Sequence, residues 1–149
     1  MKAIVYETCG SPDVLRCEEI QKPPVRDPHV LTRVRAASVN ALELSELKAI
    51  PYLARIVFGL RKPVKAHPAR LGVDVAGEVV AVGRKVTRFK PKDKVFGVCI
   101  NDPHASGAKV WVHDQGAFAE YAGVPESPLA MKPQNVTFEQ AAAAGIAVW

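Results

Sequence analysis

Residues 71–83 read LGVDVAGEVVAVG, and no other stretch narrows the folding options of this chain so far. Valine dominates it, and β-branched side chains favour an extended, half-buried backbone. Gly72, Gly77 and Gly83 interrupt the apolar run. A glycine inside a strand weakens it, and so marks a bulge or a close approach by another backbone. Two acids, Asp74 and Glu78, lie within the run. The reading is a strand over 75–82, closed by a turn at Gly83-Arg84-Lys85.

The rest of the chain offers more short strands. Residues 2–7 are apolar and strand-like, Gly10-Ser11-Pro12-Asp13 is a turn signal, and 14–20 runs back, which predicts a hairpin. Over 29–39, Val30, Thr32, Val34 and Ala36 alternate with Leu31, Arg33 and Arg35, the period of a half-buried strand. That pattern stops at Ser38-Val39-Asn40. Leu42, Leu44, Leu47 and Ile50 then take near-helical spacing, which predicts a short helix from Asn40 that stops before Pro51. Residues 52–60 are apolar with one arginine and read as a packing segment or a further turn of helix. A polar connection over 89–94 leads into a strand over 95–100, and a long loop follows over 101–116. Residues 117–124 alternate again, around Phe118 and Tyr121. In 136–149, Thr137 with Gln140 three residues on reads as a capping box, so a helix running to the end of the chain is expected. Many short strands and few helices predict a mainly β fold, a small and partly closed β-barrel.

Composition bounds the function. A length of 149 residues suits one domain, and 48% hydrophobic with 23% charged residues is an ordinary globular balance that argues against disorder. Apolar runs break before membrane length, so no membrane helix is expected. The start, MKAIVYETCG, has no signal-peptide pattern, and the expected compartment is the cytoplasm. Cys9, Cys17 and Cys99 form an odd set with no C-x-x-C pair, which fits free thiols better than a zinc ribbon or disulfides. The formal charge of +5 comes from scattered basic residues without interleaved aromatics, so no nucleic-acid partner is expected. The surplus reads as a solvated surface, or as attraction for an anionic small molecule such as a phosphorylated cofactor. No G-x-G-x-x-G occurs: Gly72 to Gly77 and Gly77 to Gly83 have the wrong spacing for a dinucleotide-binding turn.

Taken in order, MKAIVYETCGSPDVL, VRAASVNALEL, LGVDVAGEVVAVG, VTRFKPKDKVFGV, GAFAEYAGVPE and EQAAAAGIAVW resemble the N-terminal part of the medium-chain dehydrogenases/reductases. PYLARIVFGLRKP further resembles a zinc-free, quinone-reductase-like subgroup. The resemblance implies a GroES-like, partly closed β-barrel over 1–149, truncated before the Rossmann domain that binds the nicotinamide cofactor in the family. It also implies a catalytic domain completed by strands that return after that Rossmann domain. Where zinc members carry a Cys-His pair this chain has Asn40 and Ala41, and Gly-His-Glu becomes Gly72-Val73-Asp74. A catalytic zinc needs about three protein ligands; a methyl and an isopropyl group supply none, so no metal site is expected. Cys99 stands alone where the family's structural zinc lobe has four cysteines. His104 and His113, with Asp102 and Asp114, read as a polar surface loop.

The activity so implied is the catalytic part of a zinc-independent oxidoreductase that uses NADPH to reduce quinones or activated C=C or carbonyl compounds, with a small-molecule electrophile as partner. Asn40 is the implied catalytic residue: its amide can donate to a carbonyl oxygen or to the nicotinamide ribose region without becoming charged. An asparagine at this point is equally a helix cap. Val39 and Asn40 are the implied cofactor contacts. Glu43, Tyr52 and Asp74 are the implied substrate contacts, against structural readings as a helix cap, a core aromatic and an anchor for backbone amides. Weak or no NADPH binding by this chain alone is expected, and a face left uncovered by the missing domain could drive self-association into a homo-oligomer. Two alternatives stand beside this reading: a non-catalytic GroES-like binding or assembly module, and a zinc alcohol dehydrogenase, which Asn40, Ala41 and Val73 disfavour.

Overall fold

A computed structural model describes residues 1–8, 10–48, 69–100 and 116–145. The valine-rich run forms β5 (Asp74–Val82), and it lies in the middle of a five-stranded antiparallel sheet. Its neighbours are β3 (His29–Ala36) and β6 (Lys94–Val98). β7 (Tyr121–Pro125) and β8 (Leu129–Met131) complete the order β7-β3-β5-β6-β8. A second sheet, in the order β2-β1-β4, is built from β1 (Lys2–Tyr6), β2 (Arg16–Glu19) and β4 (Ala69–Arg70). β1 and β2 form the expected hairpin, with a 3₁₀ turn over Pro12–Val14 between them.

The fold is mainly β with two described helices, α1 (Ala41–Leu47) and α2 (Phe138–Ala144). The two sheets meet along one seam. Ala3 bridges Ala119, the Ile4 amide donates to the Phe118 carbonyl at 2.8 Å, and the Glu120 amide donates to the Lys2 carbonyl at 3.1 Å. This is partial closure; among the described residues the strands do not join into a complete barrel.

Period two decides which side chains of β5 go where. Val75 and Val79 point into the main core with Val30, Val95, Val124, Leu129 and Phe89. Full burial of each valine is worth roughly 1.5–3 kcal/mol. Asp74, Ala76 and Glu78 alternate onto the opposite face, where Ala76 packs against Ala141 and Ala142 of α2. Small side chains there let the helix sit close to the sheet. Gly77 fulfils the close-approach reading: a Cβ on it would lie 2.2 Å from the Arg33 carbonyl oxygen, beside a register shift between Val34 and Ala36.

Several boundaries differ from the sequence expectation. β3 ends at Ala36 instead of running to 39, because the chain turns there towards α1. Residues 117–120 meet β1 at a single bridge, so β7 starts only at Tyr121. Leu31, expected on the polar face, is buried. β4 and β8 were not expected at all; with two and three residues, they are too short to show a period. The capping box of α2 is present, with Thr137 and Gln140 each accepting from the other's backbone amide. The described helix spans Phe138–Ala144 with Gly145 as its C-cap, and 146–149, over which the helix was also expected, lie outside the described residues. No helix among the described residues is long and apolar enough to cross a membrane.

Candidate active site

Three segments meet at one carboxylate: the link from β3 to α1, the start of β5, which carries it, and the end of α2. Asp74, the first residue of β5, is 1% exposed. Its Oδ2 accepts from the Ser38 hydroxyl and from Asn40 Nδ2, the latter at 2.9 Å. Its Oδ1 faces Gly145, where a Cβ would come within 2.2 Å.

Asn40 works in two directions. Its Oδ1 accepts from the Leu42 amide at 2.8 Å, as an N-cap of α1 does. That bond orients the side chain, because an NH2 turned towards Leu42 would face another donor. Nδ2 therefore points to Asp74 with one hydrogen, and its second hydrogen has no described partner. Glu43 completes the cap. Its Oε2 accepts from the Asn40 backbone amide at 2.9 Å, the reciprocal half of a capping box. Its Oε1 accepts from the Val73 amide at 2.8 Å. One side chain thus ties α1 to the residue before β5, and at 3% exposure it is sealed from water.

The sequence-expected residues fall into three groups. Asn40, Glu43 and Asp74 come together. Val39 lies beside them and is 81% exposed, free to meet a ligand or another protein surface. Tyr52 lies outside the described residues, as do Cys9, the segment carrying PYLARIVFGLRKP, and His104, His113, Asp102 and Asp114. Glu43 and Asp74 are enclosed by hydrogen bonds and neighbouring atoms, which suits supports of the site. Sequence reasoning missed Ser38, Gly145 and Arg70. A hydroxyl two residues before the capping asparagine was a usable signal for Ser38. Nothing local marked Arg70, which sits buried on two-residue β4.

Cys99 follows β6, and its amide donates to the Val73 carbonyl at 2.6 Å. Burial first, then the nearby Asp74 carboxylate, push its thiol far above the ordinary range; Arg70 opposes the shift and Glu43 adds to it. Asp74, Arg70 and Glu43 are therefore all within electrostatic reach of one thiol that stays protonated. Among the described residues, no three His, Cys, Asp or Glu side chains gather as a metal-binding cluster. Val73 is 1% exposed, and its isopropyl group lies in the core.

Gly72, Gly77 and Gly83 do not form a cradle for phosphate. Gly72 has φ 106° with the Phe118 and Ala117 amides where its Cβ would be, and Gly83 abuts the Arg26 carbonyl. With Gly77 against Arg33, each is filled by the domain's own backbone. Among the described residues Asn40 offers one side-chain amide hydrogen and Val39 an exposed apolar side chain, while Gly72, Gly77 and Gly83 leave no space for a pyrophosphate.

Known proteins share this fold. The profile of the alcohol dehydrogenase GroES-like domain matches residues 26–134. A 2-methylene-furan-3-one reductase of Solanum lycopersicum is 35% identical, over 99% of this chain and 35% of its own length. An NADPH-dependent alkenal/one oxidoreductase of Arabidopsis thaliana, chloroplastic, is 34% identical over 99% of this chain and 35% of its own. The crystal structure of a quinone oxidoreductase from Pseudomonas syringae superimposes with a TM-score of 0.75 and 30% identity, over 97% of this chain and 37% of that one. The chain spans little more than a third of these relatives' length. It belongs to the alcohol dehydrogenase GroES-like domain family, in the medium-chain dehydrogenase/reductase superfamily and among relatives of the quinone oxidoreductase kind.

Proposed function

We propose that this chain is the catalytic-domain part of a zinc-independent, NADPH-dependent oxidoreductase that reduces quinones or activated C=C or carbonyl compounds. The observation that carries the reading is the state of the Asn40 amide. It is held at both ends, by Leu42 and Asp74, and its second Nδ2 hydrogen has no partner among the described residues. A neutral donor held in this way suits an uncharged acceptor whose oxygen gains negative charge during reduction. Its hydrogen bond to that oxygen strengthens as the charge builds, and the amide needs no reorientation to supply it. NADPH, when bound, supplies the hydride.

The other residues act through Asn40 or beside it. Asp74 accepts from Nδ2 and is itself held by the Ser38 hydroxyl, and Glu43 fixes the turn from which Asn40 projects. Val39 offers an apolar edge that helps to exclude water from a bound ring. Tyr52 stays in the proposal as a wall of the substrate site. Ala41 and Val73, with no donor atoms, and Asn40, with only a neutral amide, support chemistry without zinc. NADPH over NADH is supported by the Arabidopsis relative described as NADPH-dependent. In this reading the pyrophosphate is bound by a further domain, and the packing of Gly72, Gly77 and Gly83 against protein atoms is consistent with that.

The test is made on the full-length oxidoreductase proposed to carry this domain. Consumption of NADPH with a quinone and with an enone should be measurable, and elemental analysis should find no stoichiometric zinc. Asn40→Ala should lower kcat/KM by about 10²–10³, the usual effect of losing one donor to a developing oxyanion. Turnover that depends on zinc, or unchanged kinetics in Asn40→Ala, would overturn the reading.

A further inference from the structure

The residues around Asp74 do more than fill space. A carboxylate with 1% exposure has almost no water to orient it, so its position is set by the protein atoms around it. Here Oδ2 takes two donors, Ser38 Oγ from the chain leaving β3 and Asn40 Nδ2 from the cap of α1. Oδ1 meets Gly145, whose missing side chain leaves it room: a Cβ there would stand 2.2 Å from Oδ1 and 2.9 Å from Cγ. A shift of the carboxylate towards β3 or α1 would break the shared geometry at Oδ2, and a shift the other way is stopped by the end of α2. The hydrogen that Asn40 gives to Asp74 fixes the direction of the one it keeps, because both sit on the same planar nitrogen.

We propose that Ser38 and Gly145 are positioning residues for Asn40, both acting through Asp74. Ser38 does so by sharing Oδ2, and Gly145 by giving Oδ1 its place. The inference rests on the reading of Asn40 as the group that meets the acceptor oxygen, and extends it to two residues that need touch neither substrate nor cofactor. It also makes the end of α2 part of the site's geometry, since movement of Gly145 would be passed to Asn40 through one buried side chain.

The experiment follows the Asn40 side-chain amide directly, by nitrogen-15 NMR of the labelled chain. Solvent exchange of its two Nδ2 hydrogens is read in the wild type, Ser38→Ala, Ser38→Thr and Gly145→Ala. Ser38→Ala and Gly145→Ala should each speed exchange of the hydrogen held by Asp74 about tenfold. Ser38→Thr, which keeps the hydroxyl, should return it to the wild-type rate. Backbone amides in β3 and β5 should hardly change, which separates positioning from general loosening. If Gly145→Ala does not fold, the Ser38 pair decides. Exchange in Ser38→Ala within about twofold of wild type, or no recovery in Ser38→Thr, would overturn the proposal. Unchanged turnover in Asn40→Ala would instead sink the acceptor reading, while the exchange data would still establish the arrangement.

Discussion

Glu43 offers the sharpest test of how this site is held together. The carboxylate is 3% exposed and accepts two backbone amides from different segments, Asn40 at 2.9 Å and Val73 at 2.8 Å. Both are hydrogen bonds to a charged acceptor, worth about 1.5–3 kcal/mol each. Glu43→Ala removes both and leaves two amides without their acceptor. It also takes a negative charge from the first turn of α1, where the helix dipole favours one by about 0.3–1 kcal/mol. A seven-residue helix has little stability of its own, so it cannot absorb the loss. The expected loss is about 3–5 kcal/mol, a large part of the roughly 5–15 kcal/mol typical of a domain. At about 2–4 °C per kcal/mol for a chain of this size, Tm should fall by about 10 °C. Glu43→Gln keeps one acceptor but turns an NH2 towards an N–H, so about half the loss is expected, ~2 kcal/mol. Urea denaturation of the three proteins measures this, with exposed Glu19→Ala as a control expected within about 0.5 kcal/mol of wild type. A Glu43→Ala loss below about 1 kcal/mol would show that the two bonds do not join α1 to β5, and the reasoning about the site's support would fail with them.

Two further outcomes follow from buried groups. The Cys99 thiol is held above its ordinary range by burial and then by Asp74, so the folded chain keeps it protonated where the unfolded chain ionises it, near pH 8.5. Its contribution to stability is therefore complete below that pH and is lost as pH rises beyond it, by about 1.4 kcal/mol per pH unit. Urea titrations at rising alkaline pH should show this slope in the wild type and its loss in Cys99→Ala; equal slopes would refute it. Thr32 is fully buried on β3, and its hydroxyl has no hydrogen-bond partner among the described residues. Thr32→Val should be neutral or stabilise the chain by up to ~1 kcal/mol in thermal or urea melts, whereas a marked loss would reveal a partner for that hydroxyl.

The sequence was informative wherever one physical signal dominated. β5 was legible because nine residues of mostly valine and alanine have few other folds available. The α2 cap was legible because Thr137 and Gln140 stand at the spacing at which both bonds form. Asn40 and Glu43 were recognisable as a possible helix cap for the same reason. What escaped notice was set by partners distant in sequence. β4 and β8 exist because β1 and β6 offer them an edge, and not through any period of their own. The contact of Gly145 with Asp74 joins residues from opposite ends of the fold's second half. Ser38 looked like the end of a strand, and only the geometry shows its hydroxyl beside Asn40 on one carboxylate oxygen.

Position 73 shows how such a site can lose a side-chain function and keep its form. In the zinc members of the family that residues 71–83 resemble, this position carries a histidine; here it carries a valine sunk in the core. Yet the backbone of Val73 is fully employed. Its amide donates to Glu43 and its carbonyl accepts from the Cys99 amide. Those two bonds join α1, β5 and the chain after β6, and they do not depend on the side chain that residue 73 presents. The scaffold at this point is therefore held by backbone, whatever side chain stands at 73. In the proposed enzyme, support for the charge on the acceptor passes to the nearby Asn40 amide. A neutral hydrogen bond offers less stabilisation than a metal ion does, so it suits acceptors such as quinones and enones, whose conjugation already spreads the charge that the hydride brings. Restoring a histidine at 73 would put one ring nitrogen in a buried site without the Asn40 and Ala41 positions to complete a ligand set. Val73→His is thus expected to destabilise the fold, by about 1–3 kcal/mol in urea melts with or without added zinc, as overpacking of a core does; stabilisation by zinc in that variant would show that the metal geometry had survived the loss of its ligands.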